Sequence, residues 1–128
     1  MAIPKARVRY KRPEQLSSRT YKIHPPISEH AFYITISDGE IDEQIRPVEI
    51  FINTKDLQNQ SWVSAFTRLL SAQFQQPGPF SKWIIAELLD TYDAGGGYFI
   101  PGGGGRVNSI VAHVGKVIEQ HCKELKLL

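Results

Sequence analysis

Cysteine is nearly missing from this chain of 128 residues, which has only Cys122. One cysteine excludes an internal disulfide and any CxxC redox pair. Long apolar runs are missing too: the longest, Trp83 to Leu89, is interrupted by Glu87 and is far too short to span a bilayer. The opening Met1-Ala-Ile-Pro-Lys-Ala-Arg7 is charged but has no apolar h-region, so no secretory signal is expected and a cytoplasmic protein is. There is no GxSxG elbow, no HExxH pair, no GxxxxGK[ST] loop and no cysteine with a recognisable histidine partner. No intrinsic catalytic residues and no cofactor are therefore expected.

What is present suits one globular domain with a modest core: 41% of residues are hydrophobic and 22% are charged. Net charge is only +2, but it is unevenly placed. Lys5, Arg7, Arg9, Lys11, Arg12, Arg19 and Lys22 fall in the first 22 residues, with Glu14 as the only acid. Residues 1–18 carry two prolines and no periodicity, and read as a basic arm preceding a domain at 19–128. Arg7, Arg9, Lys11 and Arg12 are its candidates for contact with nucleic acid or an acidic partner, with Tyr10 adding stacking. Asp38, Glu40, Asp42 and Glu43 cluster in a later segment that reads as a solvated hairpin connection, with nothing nearby to desolvate a carboxylate.

Thr20 to His24 is a short β-type run that Pro25-Pro26 ends. Ala31 to Ser37 alternates, with Phe32, Ile34 and Ile36 on one face and Tyr33 and Thr35 on the other; Pro47 to Asn53 repeats this with Val48, Ile50 and Ile52. Ser37-Asp-Gly-Glu40 supplies turn chemistry, so an antiparallel hairpin with a long acidic connection is expected. The period then becomes helical. Ser61 to Gln76 places Trp62, Phe66, Leu69, Leu70 and Phe74 on one stripe and stops at Pro77-Gly-Pro79. Phe80 to Tyr92 follows, with Ser81 as cap and Ile84, Ile85, Leu88, Leu89 and Tyr92 as its apolar face. A third helix from Asn108 to Lys126 buries Val111, Val114, Ile118, Cys122 and Leu125. The expected fold class is α+β: a small antiparallel sheet of about three strands, then three helices packed on one face.

Seven of the ten glycines fall between positions 95 and 105, just before the third helix. Two readings stand open for this costly loop: a lid anchored by Tyr98, Phe99 and Ile100, or a backbone nest that receives phosphate at the helix N-terminus. The nest reading nominates Gly96, Gly97, Tyr98, Gly104, Gly105, Arg106 and Asn108. Lys55 and Arg68 join that nucleotide set if they line one cleft with Arg106. His24, His30, His113 and His121 match no metal-ligand spacing, so no metal site is expected. Cys122, on the apolar stripe, reads as core.

Several segments carry a resemblance: Arg12-Pro-Glu-Gln-Leu16, Arg19-Thr-Tyr-Lys-Ile23, Ser28-Glu-His-Ala-Phe-Tyr-Ile-Thr-Ile36, Arg46-Pro-Val-Glu-Ile-Phe-Ile-Asn53 and Trp62-Val-Ser-Ala-Phe-Thr-Arg68. With Gly96-Gly-Tyr-Phe99 and Val117-Ile-Glu-Gln-His121, they resemble the TSCPD domain in the C-terminal region of adenosylcobalamin-dependent (class II) ribonucleotide reductases, over about residues 12 to 122. The resemblance implies a link to deoxyribonucleotide metabolism. The Thr-Ser-Cys-Pro-Asp element that names the domain is absent, and His24-Pro-Pro-Ile-Ser-Glu-His30 stands in its place. Ribonucleotide reduction needs a thiyl radical and a dithiol, which one cysteine cannot supply, so the resemblance implies a non-catalytic module standing alone. Such a module would hold a nucleotide or dock on a reductase. The alternatives are nucleic-acid association through the arm, and a phage or bacterial regulator that sequesters nucleotide signals. With so small a sheet, a homo-oligomer is expected.

Overall fold

A computed structural model describes residues 2, 3 and 10–128. Arg7 and Arg9 of the basic arm lie outside the described residues. Strands β1 (Ser17–Ile23), β2 (Phe32–Ile41) and β3 (Gln44–Thr54) form an antiparallel sheet in the order β1-β2-β3. Helices α1 (Gln60–Phe74), α2 (Trp83–Leu89) and α3 (Ile110–Glu124) follow, with a small hairpin of β4 (Tyr98–Phe99) and β5 (Arg106–Val107) inserted before α3. The class is α+β, as the change of period along the chain implies. β1 starts at Ser17, so the last two residues of the expected arm belong to the sheet.

Alternation selects the buried face. Phe32, Ile34 and Ile36 of β2 and Ile50 and Ile52 of β3 pack against Val63, Leu70, Phe74, Val114, Ile118 and Cys122 of the helices. Each such side chain removed from water contributes roughly 1.5–3 kcal/mol. The other sheet face is open and carries hydroxyl pairs, Ser18 with Ser37 at 2.6 Å and Thr20 with Thr35 at 2.8 Å. Residues 10–16 run along the sheet rather than away from it. Tyr10 lies over Gly39, where a Cβ would collide with its ring, and Arg12 Nε donates to Glu49 Oε1 at 2.7 Å.

The acidic segment is not a loop. Only Asp42 and Glu43 connect β2 to β3, both at positive φ (51° and 63°), which is the backbone of a tight two-residue hairpin turn. The turn is held from outside, since Asp42 Oδ2 accepts from the Gly78 amide at 2.7 Å. Below it, Ser37 pairs with Glu49 but Asp38 pairs with Pro47, so Val48 is an extra residue in β3. This bulge explains why a proline is tolerated in the strand and why Arg46, Pro47 and Val48 are buried in succession.

Arg46 is 1% exposed. Its guanidinium donates to the carbonyls of Gly78 (2.6 Å), Phe74 (3.4 Å) and Gln76, which form the unsatisfied C-terminal end of α1 and the loop beyond it. A cation here also meets the negative end of the helix dipole. α1 in turn covers the free edge of β3. Ser71 Oγ accepts from Ile50 N and donates to Ile50 O, and Gln75 Nε2 donates to Val48 O at 2.9 Å.

The helices depart from the expected stripes in several places; α3 ends at Glu124, so Leu125 is its C-cap and Leu127 packs on the core instead. Leu69 is 72% exposed, because α1 rests on β3 through Val63, Thr67, Leu70 and Phe74 instead. α2 ends at Leu89, and Tyr92 is exposed beyond it. Ser81 does not cap α2 with its side chain; it accepts from Gln73 Nε2 at 2.9 Å. Gly115 gives α2 its close approach to α3, since a Cβ there would stand 2.9 Å from Leu88 Cβ. α3 is capped by Ser109, which accepts from the Ala112 amide. No helix among the described residues is long and apolar enough to cross a membrane.

The Arg46 anchor generates the first test. Arg46→Ala should destabilise the protein by about 3 kcal/mol in urea denaturation, because several buried carbonyls lose their donor and a cavity opens. A loss below about 1 kcal/mol would show that the α1 terminus does not depend on this side chain.

Candidate functional site

Two loops and the start of α3 meet at the end of the sheet where β1 and β3 finish, and they line a cleft of about 520 Å³. The β1–β2 connection supplies Ile27, Glu29 and His30. The turn before α1 supplies Lys55 and Leu57, and α3 supplies Ile110 at its first position. A second cleft of about 240 Å³, lined by Tyr33 and Asn53, shares Glu29, His30 and Lys55 with the first. Local hydrogen bonds fix these walls. Ser28 Oγ accepts from the His30 amide, Thr54 Oγ1 donates to Ala31 O, and Gln60 Nε2 donates to Thr54 O. Asn59 is fully engaged, donating to Asp56 and accepting from the Trp62 indole.

The glycine loop is a folded hairpin. Ile100 N donates to Gly105 O at 2.7 Å, Gly96 N to Asp93 O at 2.9 Å, and Lys116 Nζ to Gly104 O at 2.8 Å. Gly97 is required by packing, because a Cβ there would collide with the Val107 carbonyl oxygen, and Gly96, Gly102, Gly103 and Gly105 take positive φ. Tyr98 is buried with Val107 and Ala112, and Ile100 packs against them. Phe99 does not join that anchor; it is 73% exposed, across from Arg106. Arg106 donates to Asn108 Oδ1 at 3.3 Å, Asn108 Nδ2 donates to Leu89 O at 3.1 Å, and the Ala112 amide already has Ser109 as acceptor.

Beneath the two surfaces α3 carries a buried polar system whose members lie too far apart in the chain for any local spacing to announce it. His121, 1% exposed, donates from Nε2 to Asp38 Oδ1 at 2.8 Å, and its Nδ1 accepts from the Tyr21 hydroxyl at 2.7 Å. Asp38 is thus desolvated and paired, contrary to the expectation of a solvated acid in a loop. Burial, then the carboxylates of Glu124 and Asp38, push the Tyr21 phenol up, while Arg19 works the other way. Two turns earlier, Tyr98 donates to His113 Nδ1 at 2.7 Å. Burial raises the Tyr98 phenol, and burial followed by Lys116 lowers His113, which is held neutral. Among the described residues no group of His, Cys, Asp or Glu forms a metal-ligand set.

The nucleotide set therefore divides. Lys55 lies on the ridge between the two end clefts, whereas Arg68 is exposed in a separate cleft of about 490 Å³ beside Phe51, between β3 and α1. Gly96, Gly97, Tyr98, Gly104, Gly105, Arg106 and Asn108 belong to the hairpin and its base. Lys55 and Arg68 do not share a cleft, and Arg106 lines neither of theirs. Of the arm, Lys11 is exposed near the β2–β3 turn, and Arg12 is matched by Glu49.

The lowered pKa of His113 sets a pH dependence. The unfolded chain takes up a proton near pH 6.5 while the folded chain resists it, so this part of the stability is complete above pH 6.5 and falls as the pH is lowered. Urea midpoints between pH 5 and 8 should fall on the acid side, and more steeply than in His113→Gln, whose amide oxygen still accepts from Tyr98. Identical slopes would mean that His113 protonates freely in the folded state.

A comparison with protein families places this geometry. Neither the curated proteins nor the solved structures gave a match. The family model of the TSCPD domain matches residues 6–122. That span takes in the sheet, both end clefts, the glycine hairpin and the buried histidines of α3, and the chain belongs to the TSCPD domain family.

Proposed function

We propose that this chain is a non-catalytic, ribonucleotide-reductase-related binding domain linked to deoxyribonucleotide metabolism, which holds a nucleotide or docks on a reductase. The observation that carries the reading is the state of the only cysteine. Cys122 is fully buried among Ile118, Val114 and the sheet, and burial followed by the nearby Asp38 carboxylate pushes its thiol up to about 12. A thiol held protonated and away from solvent is neither a nucleophile nor an exchangeable partner for a dithiol. What the fold offers instead is surface: the end clefts, the exposed Phe99 and Arg106 of the hairpin, and an uncovered sheet face with Tyr33 and Phe51. The nucleic-acid alternative gains no support from Arg12, whose charge Glu49 matches.

Two measurements test this reading. Native protein should react with a thiol reagent at least a hundredfold more slowly than urea-unfolded protein, and it should reduce no ribonucleotide with adenosylcobalamin and dithiol present. Rapid labelling of the native thiol, or any turnover, contradicts the non-catalytic assignment. On the binding side, a nucleotide at a hundred times its dissociation constant adds about 2.7 kcal/mol of stability, which a thermal-shift screen detects. Absence of any shift, together with failure to capture a ribonucleotide reductase, would remove the reading.

A further inference from the structure

The polar side chains around the end clefts are not equally free. Asp56 and Asn59 hold one another, and Asn59 also holds Trp62. The side chains of Glu29, His30 and Lys55 have no hydrogen-bond or ion-pair partner among the described residues, and they form the ridge that both clefts share. On the side of the larger cleft the ridge is flanked by two apolar side chains, Ile27 (56% exposed) and Leu57 (83% exposed). Neither belongs to the core, and covering both on binding would remove apolar surface that the fold itself leaves in water.

Each of these groups favours one part of the same kind of molecule. An ammonium and an imidazole N–H, free of internal partners, bind phosphate oxygens through charge-assisted hydrogen bonds. A free carboxylate beside them would repel a bare phosphate, but it accepts hydrogen bonds from sugar hydroxyls. Two exposed aliphatic side chains lining the same cleft offer apolar contact to a heterocycle. The 520 Å³ of the larger cleft falls within the range that encloses a small ligand. We infer that this end cleft binds a nucleoside phosphate, with Lys55 and His30 on the phosphates, Glu29 on the ribose or deoxyribose hydroxyls, and the base against Ile27 and Leu57. The inference rests on the nucleotide-holding half of the proposed function and locates it away from the glycine hairpin.

Calorimetric titration of the full chain with ATP, the four deoxynucleoside triphosphates and inorganic tripolyphosphate tests it. At least one nucleotide should bind more tightly than tripolyphosphate. Lys55→Ala should weaken nucleotides and tripolyphosphate alike by about tenfold or more, the scale of one charge-assisted hydrogen bond. Leu57→Ser should weaken the nucleotide but leave tripolyphosphate unchanged. Both residues are exposed, so neither variant threatens the fold, and Arg106→Ala should bind like the wild type. The inference is overturned if Lys55→Ala binds at wild-type strength, or if tripolyphosphate binds as tightly as every nucleotide. If Arg106→Ala alone abolishes binding, the site moves to the hairpin and the nucleotide reading survives. If no nucleotide binds but a reductase is captured, the cleft assignment falls and the docking reading stands.

Discussion

The Asp38–His121–Tyr21 chain of hydrogen bonds fixes α3 against the sheet, and most of what borders the surface follows from where α3 lies. An imidazole with almost no contact with water must have both nitrogens satisfied, and here α3 brings His121 against Tyr21 of β1 and Asp38 of β2, a donor and an acceptor. From that placement α3 receives α2 at Gly115, supports the hairpin through His113 and Tyr98, and sets Ile110 in the wall of the end cleft. The other helix–sheet tie is Arg46 on the end of α1: its two terminal nitrogens donate to the backbone carbonyls there, while its Nε is buried without a partner. Shape and polarity cooperate, since the same side chains that fill the interior also specify its register.

These ties separate the polar groups that build the fold from those left for binding. His113, His121, Asp38, Arg46 and Cys122 are enclosed, with hydrogen-bond partners or with apolar surroundings. Glu29, His30 and Lys55 gather instead at one end of the sheet, on loops held by short-range hydrogen bonds. A fixed scaffold with free polar groups on its terminal loops suits recognition, and this is the physical content of reading the chain as a binding domain.

Much of the scaffold was legible in the residues, and its main error is instructive. Phe32, Ile34 and Ile36 announce the buried face of β2, and the same period of two carries on to Asp38. In β3 the period of Val48, Ile50 and Ile52 is interrupted by the bulge at Val48, so no alternation announces the burial of Arg46. For Asp38 the turn propensity of Asp38-Gly39 outweighed that parity, because a local preference says nothing of a donor waiting on a helix 83 residues away. Leu69 was misplaced for a related reason: its helix touches the sheet along a narrower stripe than its apolar residues span. The candidate site was only partly legible. Lys55 was named, but its neighbours Glu29 and His30 reach it through the pairing of β2 with β3, and no spacing along the chain encodes that proximity. The glycine run signalled a special backbone correctly, while its purpose in burying Tyr98 depended on His113, fifteen residues further on.

The most direct test of the account is an amide chemical-shift map of the ¹⁵N-labelled chain titrated with a nucleoside triphosphate. The account expects saturable shifts confined to residues 27–31, 53–59 and the first turn of α3, with the Gly96 to Arg106 hairpin and the amides around Cys122 unmoved. Shifts centred on the hairpin, or none at saturating nucleotide, would contradict it.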